Sequence, residues 1–262
     1  MNTLINSKLS EVFDDFKRSV ENVIDLCTLK EENLPDFSNP IIQQLYLLRH
    51  LPNDLFEYYH IYKQVIEQKH IDTPYHIFSL GAGSGIDYYG VELALKDVGK
   101  SVREYVYYTG IEETDWRYRH PLNNPDCRFL SGDLSKINRE KLADANIIMF
   151  PKSMARYSES AYEELLQFLK KISFTESNLY LISSLNDLGD ELEEVRFARL
   201  LDIFVAEQGY IDLDHETNYD TGGNKVSFDY PNHINEFLIT LQSQCKSYDP
   251  YRKECNTLVS RF

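Results

Sequence analysis

Three glycines spaced two apart, Gly81, Gly83 and Gly85, stand with Ala82 and Ser84 between a short apolar run and an amphipathic one. Glycine permits backbone angles closed to other residues and lets a ligand approach the main chain with no Cβ in the way. A helix beginning directly behind such a loop offers free N–H groups and a partial positive charge to a ligand carboxylate or phosphate. Two acids, Glu112 and Asp133, follow later apolar runs, where a carboxylate can accept hydrogen bonds from a ligand. The stretch Phe150-Pro151-Lys152-Ser153-Met154-Ala155-Arg156-Tyr157 adds Lys152 and Tyr157 as candidate substrate contacts, with Ser153 between them.

The spacing of these residues excludes some chemistry. A dinucleotide loop wants G-x-G-x-x-G, and here the third glycine comes one residue early, with Ile86 next. There is no G-K-[ST] for an ATP phosphate loop. The cysteines, Cys27, Cys127, Cys245 and Cys255, form no C-x-x-C pair, so neither a zinc site nor a disulfide framework is expected, and a reduced, cytoplasmic setting is. No metal is expected.

The elements that must position these residues follow from periodicity. Ile5, Leu9, Val12, Phe13, Phe16, Val20, Val23 and Ile24 recur at steps of three and four and predict a first helix. After a break at Glu31–Pro40, Ser38 or Asn39 can cap a second helix burying Ile41, Leu45 and Leu48. Pro52 is expected to end or kink it, with a third helix restarting at Asn53 or Asp54 and running to Gln68. Strands are expected at His76–Leu80, Glu104–Ile111, Cys127–Leu130, Asn146–Phe150 and Leu179–Ser183. Helices are expected at Ile86–Val98, Tyr162–Ile172 and Glu191–Gln208, the last with Val195, Ala198, Leu201, Ile203 and Val205 inward. Tyr210–His215 and Lys225–Tyr230 flank Gly222-Gly223-Asn224 as an expected hairpin, and Ile234–Cys245 closes as a helix. The fold class is therefore α/β. It is a Rossmann-like, mostly parallel mixed sheet with a C-terminal antiparallel hairpin, helices on both faces and an N-terminal helical segment. Ligands in such sheets bind at the carboxyl ends of the strands. The expected division is a helical lid or substrate segment at 1–73, a ligand-binding domain at 74–231 and a helix and tail at 232–262.

The sequence Gly81-x-Gly83-x-Gly85, followed by Gly110-Ile111-Glu112 and Phe129-Leu130-Ser131-Gly132-Asp133-Leu134, resembles the class I S-adenosylmethionine-dependent methyltransferases over roughly Tyr75 to Tyr230. The resemblance implies a seven-stranded sheet ending with an antiparallel strand and S-adenosylmethionine as cofactor. It implies that Gly81, Ala82, Gly83, Ser84 and Gly85 contact that cofactor, that Glu112 holds the ribose hydroxyls, and that Asp133 and Leu134 lie near the adenine. The family usually has an acid two places before the first glycine; this sequence has Ser79, and Asp87 is a candidate substitute for ordering the methionine amino group. Trp116 is a candidate adenine platform or a buried anchor, and Tyr58, Tyr59, His60 and Tyr62 line a lid or face the core. The fourth-strand loop lacks the Pro-Pro-aromatic motif of base-amine methylation and the Pro-Cys of cytosine methylation.

Composition narrows the class further. The chain has 262 residues, with 27 Lys and Arg against 42 Asp and Glu, a formal charge of −15, which weighs against gripping a nucleic-acid backbone. No apolar run approaches the ~18 to 20 residues of a membrane span, and Met1–Ser10 lacks the pattern of a secretory signal. The leading expectation is an enzyme methylating a small molecule. The alternatives are a non-catalytic binding or partner module of the same fold, an RNA methyltransferase, and a nicotinamide-dependent oxidoreductase.

Overall fold

A computed structural model of the protein describes residues 2–20, 36–68, 74–122, 124–132, 137–184, 191–211, 214–217, 230–244 and 257–261. Its strands are β1 Tyr75–Leu80, β2 Val106–Glu112, β3 Arg128–Ser131, β4 Ile147–Pro151, β5 Tyr180–Ser184, β6 Asp214–Thr217 and β7 Thr257–Arg261. They form one sheet in the order β3-β2-β1-β4-β5-β7-β6. Five strands are mutually parallel, with Ile77 opposite both Tyr108 and Ile147, and Met149 opposite Ile182. Among the described residues seven α-helices accompany them: α1 Asn2–Val20, α2 Pro40–Gln68, α3 Ile86–Asp97, α4 Val102–Tyr105, α5 Glu159–Lys170, α6 Glu191–Asp202 and α7 Asn232–Gln244.

The central strands are apolar on both sides because helices cover both faces. In β4, Ile147 and Met149 join the apolar cluster under α1, α2 and α3, while Ile148 and Phe150 join the one under α5 and α6. The same alternation in β5 sends Tyr180 and Ile182 one way and Leu181 the other. Chain ends of β1, β2, β4 and β5 therefore emerge along one edge, carrying the loops of interest.

The expected C-terminal hairpin is not found among the described residues. β6 pairs with β7, which also pairs antiparallel with β5, and α7 lies between β6 and β7 in the chain. Residues 225–229, the body of the expected partner strand, lie outside the described residues. A Gly-Gly-Asn turn signals a local reversal only, whereas a strand's partner is set by which sheet edge is open to it.

Two helix readings also change. Pro52 does not divide the second helix: α2 runs unbroken over 29 residues. A mid-helix proline costs ~3 kcal/mol, yet α2 is buried on nearly all sides, from Leu45 and Leu48 through Leu55, Tyr58, Tyr62 and Ile66, and that burial outweighs it. Asn39 caps it, its Oδ1 accepting from the Ile41 amide at 2.9 Å. Where α2 crosses α3, a side chain at Gly90 would overlap the Tyr58 Cβ at 2.6 Å, so only glycine allows the close crossing. In α6 the inward face is Glu193, Arg196, Phe197 and Leu200, continuing to Ile203 and Phe204, while Val195, Ala198 and Val205 are exposed. Two charged residues on the inner face hid that periodicity. Arg196 is buried because it donates to the Met154 carbonyl at 2.8 Å and to Glu159 at 3.2 Å, with Tyr162 beneath it.

Candidate active site

The loop after β1 is held from three sides. Gly81 and Ala82 amides both donate to the Ile111 carbonyl, at 2.9 and 3.0 Å, which ties the loop to the end of β2. Ser153 donates from Oγ to the Leu80 carbonyl at 2.5 Å. Its Cβ fills the space a side chain at Gly81 would need, 2.4 Å from that position. From the third side, the Gly83 amide donates to Glu112 Oε2 at 2.9 Å, while the Thr114 amide holds the other carboxylate oxygen at 3.0 Å. Gly81, Gly83 and Gly85 have φ of +77°, +52° and +76°, the left-handed region that favours glycine. The structure thus brings five sequence-nominated loop residues and Glu112 together. Asp133 and Leu134 lie outside the described residues, although the Gly132 amide donates to the Glu112 carbonyl at 3.2 Å.

Asp87 is present behind the loop but fully engaged. Its carboxylate accepts from Ser79 Oγ at 2.6 Å and from the Tyr108 hydroxyl, which lies between both oxygens at 2.9 and 3.0 Å. Burial pushes its carboxyl up to about 6 from an ordinary 3.8, against the pull of these donors. These bonds brace β1, β2 and α3 and leave the carboxylate turned inward.

Trp116 follows Glu112 and is buried beside Gly83, its ring 3.6 Å from where a side chain on Gly83 would begin. It packs on Phe37 at 4.9 Å and on Tyr46 at 5.6 Å, so both the anchor and the platform roles are geometrically open. The Gln43 side chain fixes this loop to α2, donating to the Asp115 carbonyl at 2.9 Å and accepting from the Arg117 amide at 3.0 Å. Tyr58, Tyr59 and Tyr62 are buried in the core cluster of α2 and do not line an open face.

Lys152 differs most from its surface-like sequence context. It has φ +50°, is buried, and donates from Nζ to Glu57 Oε2 at 2.8 Å. Ser184, at the end of β5, donates to the other oxygen of Glu57. Burial pushes the Glu57 carboxyl up, opposed chiefly by Lys152. Tyr157 is half-buried, and burial followed by the charges of Glu112 and Glu113 raises its phenol. Arg156 lies over the rings of Phe37 and Tyr46 at 4.7 and 5.5 Å.

Asp54, Glu57, Ser184 and Tyr46 join this edge and were not singled out from sequence. The available signal was that Leu51, Asp54, Leu55 and Tyr58 share one α2 face, so Asp54 lies on an otherwise apolar stripe.

The residues present fit an adenosyl ligand. Ser84 Oγ and Trp116 Nε1 are both buried beside the loop with no hydrogen-bond partner among the described residues, so a ligand offering acceptors there would satisfy them. Among the described residues no group of three His, Cys, Asp or Glu could hold a metal ion.

No family model and no curated protein matches the chain. Solved structures do. The plantazolicin methyltransferase BpumL in complex with SAH is similar over 98% of both chains, with 13% identity and a TM-score of 0.49. The Burkholderia thailandensis 1,6-didemethyltoxoflavin-N1-methyltransferase covers 80% of this chain and 77% of its own, with 12% identity and a TM-score of 0.46. A putative RNA methyltransferase from Pyrococcus horikoshii covers 80% and 82%, with 17% identity and a TM-score of 0.40. All three are methyltransferases by name. Such low identities carry no activity across, and the site stands on its own geometry.

Proposed function

We propose that this chain is an S-adenosylmethionine-dependent methyltransferase of the class I kind acting on a small molecule. One observation carries the reading: the Glu112 carboxylate at the end of β2 is held on the Gly83 amide, beside two buried donors, Ser84 Oγ and Trp116 Nε1, that have no hydrogen-bond partner among the described residues. A carboxylate so placed keeps further lone pairs for the two hydroxyls of a ribose. Gly81 to Gly85 let the ligand lie against the main chain, and Trp116 offers an aromatic face next to them. Asp133 and Leu134 are proposed at the adenine on the resemblance alone.

When bound, the cofactor supplies an electrophilic methyl on a sulfonium. The protein's task is then to align the acceptor and exclude water. The β4 end carries Lys152 and Tyr157 toward the acceptor side, and α2, part of segment 1–73, closes over it with Asp54 and Glu57. The small-molecule assignment is supported by that enclosure and by the net charge of −15, which disfavours an RNA backbone. No helix among the described residues is long and apolar enough to cross a membrane.

The test is binding of S-adenosylhomocysteine, read from the fluorescence of Trp116, the one tryptophan of the sequence. Saturable quenching at micromolar ligand, unaffected by excess NAD, is expected. No response at millimolar ligand, with calorimetry agreeing, removes the reading.

A further inference from the structure

Where α2 crosses the ends of β4 and β5, three charged side chains are buried together: Asp54 at 1%, Glu57 at 0% and Lys152 at 4% exposure. Lys152 Nζ bonds Glu57 and stands 4.0 Å from Asp54 Oδ1, beyond hydrogen-bond reach. The Tyr46 hydroxyl donates to the other Asp54 oxygen at 3.0 Å. Asp54 Oδ1 is left buried with no hydrogen-bond partner among the described residues. A buried carboxylate oxygen without a donor is costly to keep inside a protein.

The charge count points the same way. Among the described residues two buried carboxylates face one buried ammonium, and Arg156, over Phe37 and Tyr46, sits at the half-buried rim where water screens it. A proton on Glu57 would cancel the excess charge yet leave Asp54 Oδ1 without a donor. A ligand ammonium answers both needs at once. The place is also right: Lys152 precedes Ser153, whose side chain abuts Gly81 in the glycine loop.

We infer that Asp54, flanked by Lys152 and Glu57, forms a site for the primary ammonium group of a ligand bound at this edge of the sheet. The inference rests on the function proposed above, under which two ligands carry that group: an amine acceptor, and the methionine end of the cofactor. Asp87, the sequence-based candidate for the latter, has both oxygens engaged by Ser79 and Tyr108. Among the described residues Asp54 is the buried carboxylate with an oxygen that accepts no hydrogen bond.

Calorimetric titrations of the wild type and Asp54→Asn separate the sources. One pair compares S-adenosylhomocysteine with 5′-methylthioadenosine, which lacks the amino-acid end. The other adds benzylamine, or benzyl alcohol as the uncharged control, to protein saturated with S-adenosylhomocysteine. If the ammonium is the cofactor's, the variant loses at least tenfold in S-adenosylhomocysteine affinity and nothing for 5′-methylthioadenosine. If it is the acceptor's, benzylamine binds the saturated wild type, benzyl alcohol does not, and the variant loses the amine. Unchanged S-adenosylhomocysteine affinity together with no preference for benzylamine overturns the inference. Asp54→Ser serves as the second variant if thermal melting shows Asp54→Asn unfolded, and the benzylamine comparison on wild type needs no variant. Should neither nucleoside bind the wild type, the cofactor reading falls. Benzylamine against benzyl alcohol on the unloaded protein then decides the ammonium site alone: selective binding upholds it, and none overturns it.

Discussion

The Ser79 hydroxyl, near the end of β1, donates to the Asp87 carboxylate in the first turn of α3 across 2.6 Å. The acid that the methyltransferase resemblance expects at position 79 is thus replaced by a hydroxyl that binds an acid arriving from eight residues downstream. With Tyr108 from β2 on the same carboxylate, three elements are joined behind the glycine loop. The loop is braced from inside, and this carboxylate faces the core.

That buried carboxyl makes stability depend on pH in a defined direction. Its folded value, about 6, lies above the ordinary 3.8, so between these limits the folded chain binds more proton than the unfolded one. Stability contributed by Asp87 is therefore present in full below about pH 4 and lost as pH rises through about 6, by roughly 3 kcal/mol at most. Urea denaturation from pH 4 to 7 should show this slope in the wild type and not in Asp87→Asn. An equal slope in both would assign it to other groups.

Gly83→Val should abolish S-adenosylhomocysteine binding, because the branched side chain enters the space against Trp116 and strains a backbone at φ +52°. The folding cost of the backbone alone is about 1 to 2 kcal/mol. Gly99→Ala provides the control: its φ is +72° with no atom within 4 Å of the added carbon, so it should lose similar stability and no affinity.

Glu112→Ala should weaken S-adenosylhomocysteine binding by roughly 1 to 3 kcal/mol, or about 5- to 150-fold, through loss of charge-assisted bonds. Titration of Trp116 fluorescence measures it. Adenine alone, which has no ribose, should bind both proteins equally.

Lys152→Met should destabilise the fold by about 3 to 5 kcal/mol, since it leaves the buried Glu57 carboxylate without its cation. Adding Glu57→Gln should recover part of that loss in urea denaturation, because one of the two buried carboxylates that faced the ammonium is then neutral. Additive losses instead would show that Lys152 acts through packing.

The parallel strands and the glycine loop were legible because they depend on local pattern: apolar runs of β length, punctuated by glycine, followed by amphipathic helices. Glu112 was legible for the same reason, standing where a strand ends. Pro52 misled because burial of α2 on nearly all sides overrides the local cost of a proline, and that burial is a tertiary fact. The inner face of α6 was hidden by Arg196 and Glu193, polar residues whose partners come from the segment after β4. Lys152 was read beside its neighbours in sequence, whereas its partner Glu57 lies 95 residues away. Buried ion pairs of that reach leave no periodic trace.

The place of β7 bears on how the molecule is assembled. Its five residues lie between β5 and β6, so among the described residues β6 joins the sheet only through the segment from Thr257 to Arg261. The five parallel strands can form on the nascent chain beforehand, with the outer edge of β5 still open. A chain cut short before Thr257 would forfeit two strands while keeping the glycine loop and its acid, and it would present to other polypeptides a bare, aggregation-prone sheet edge.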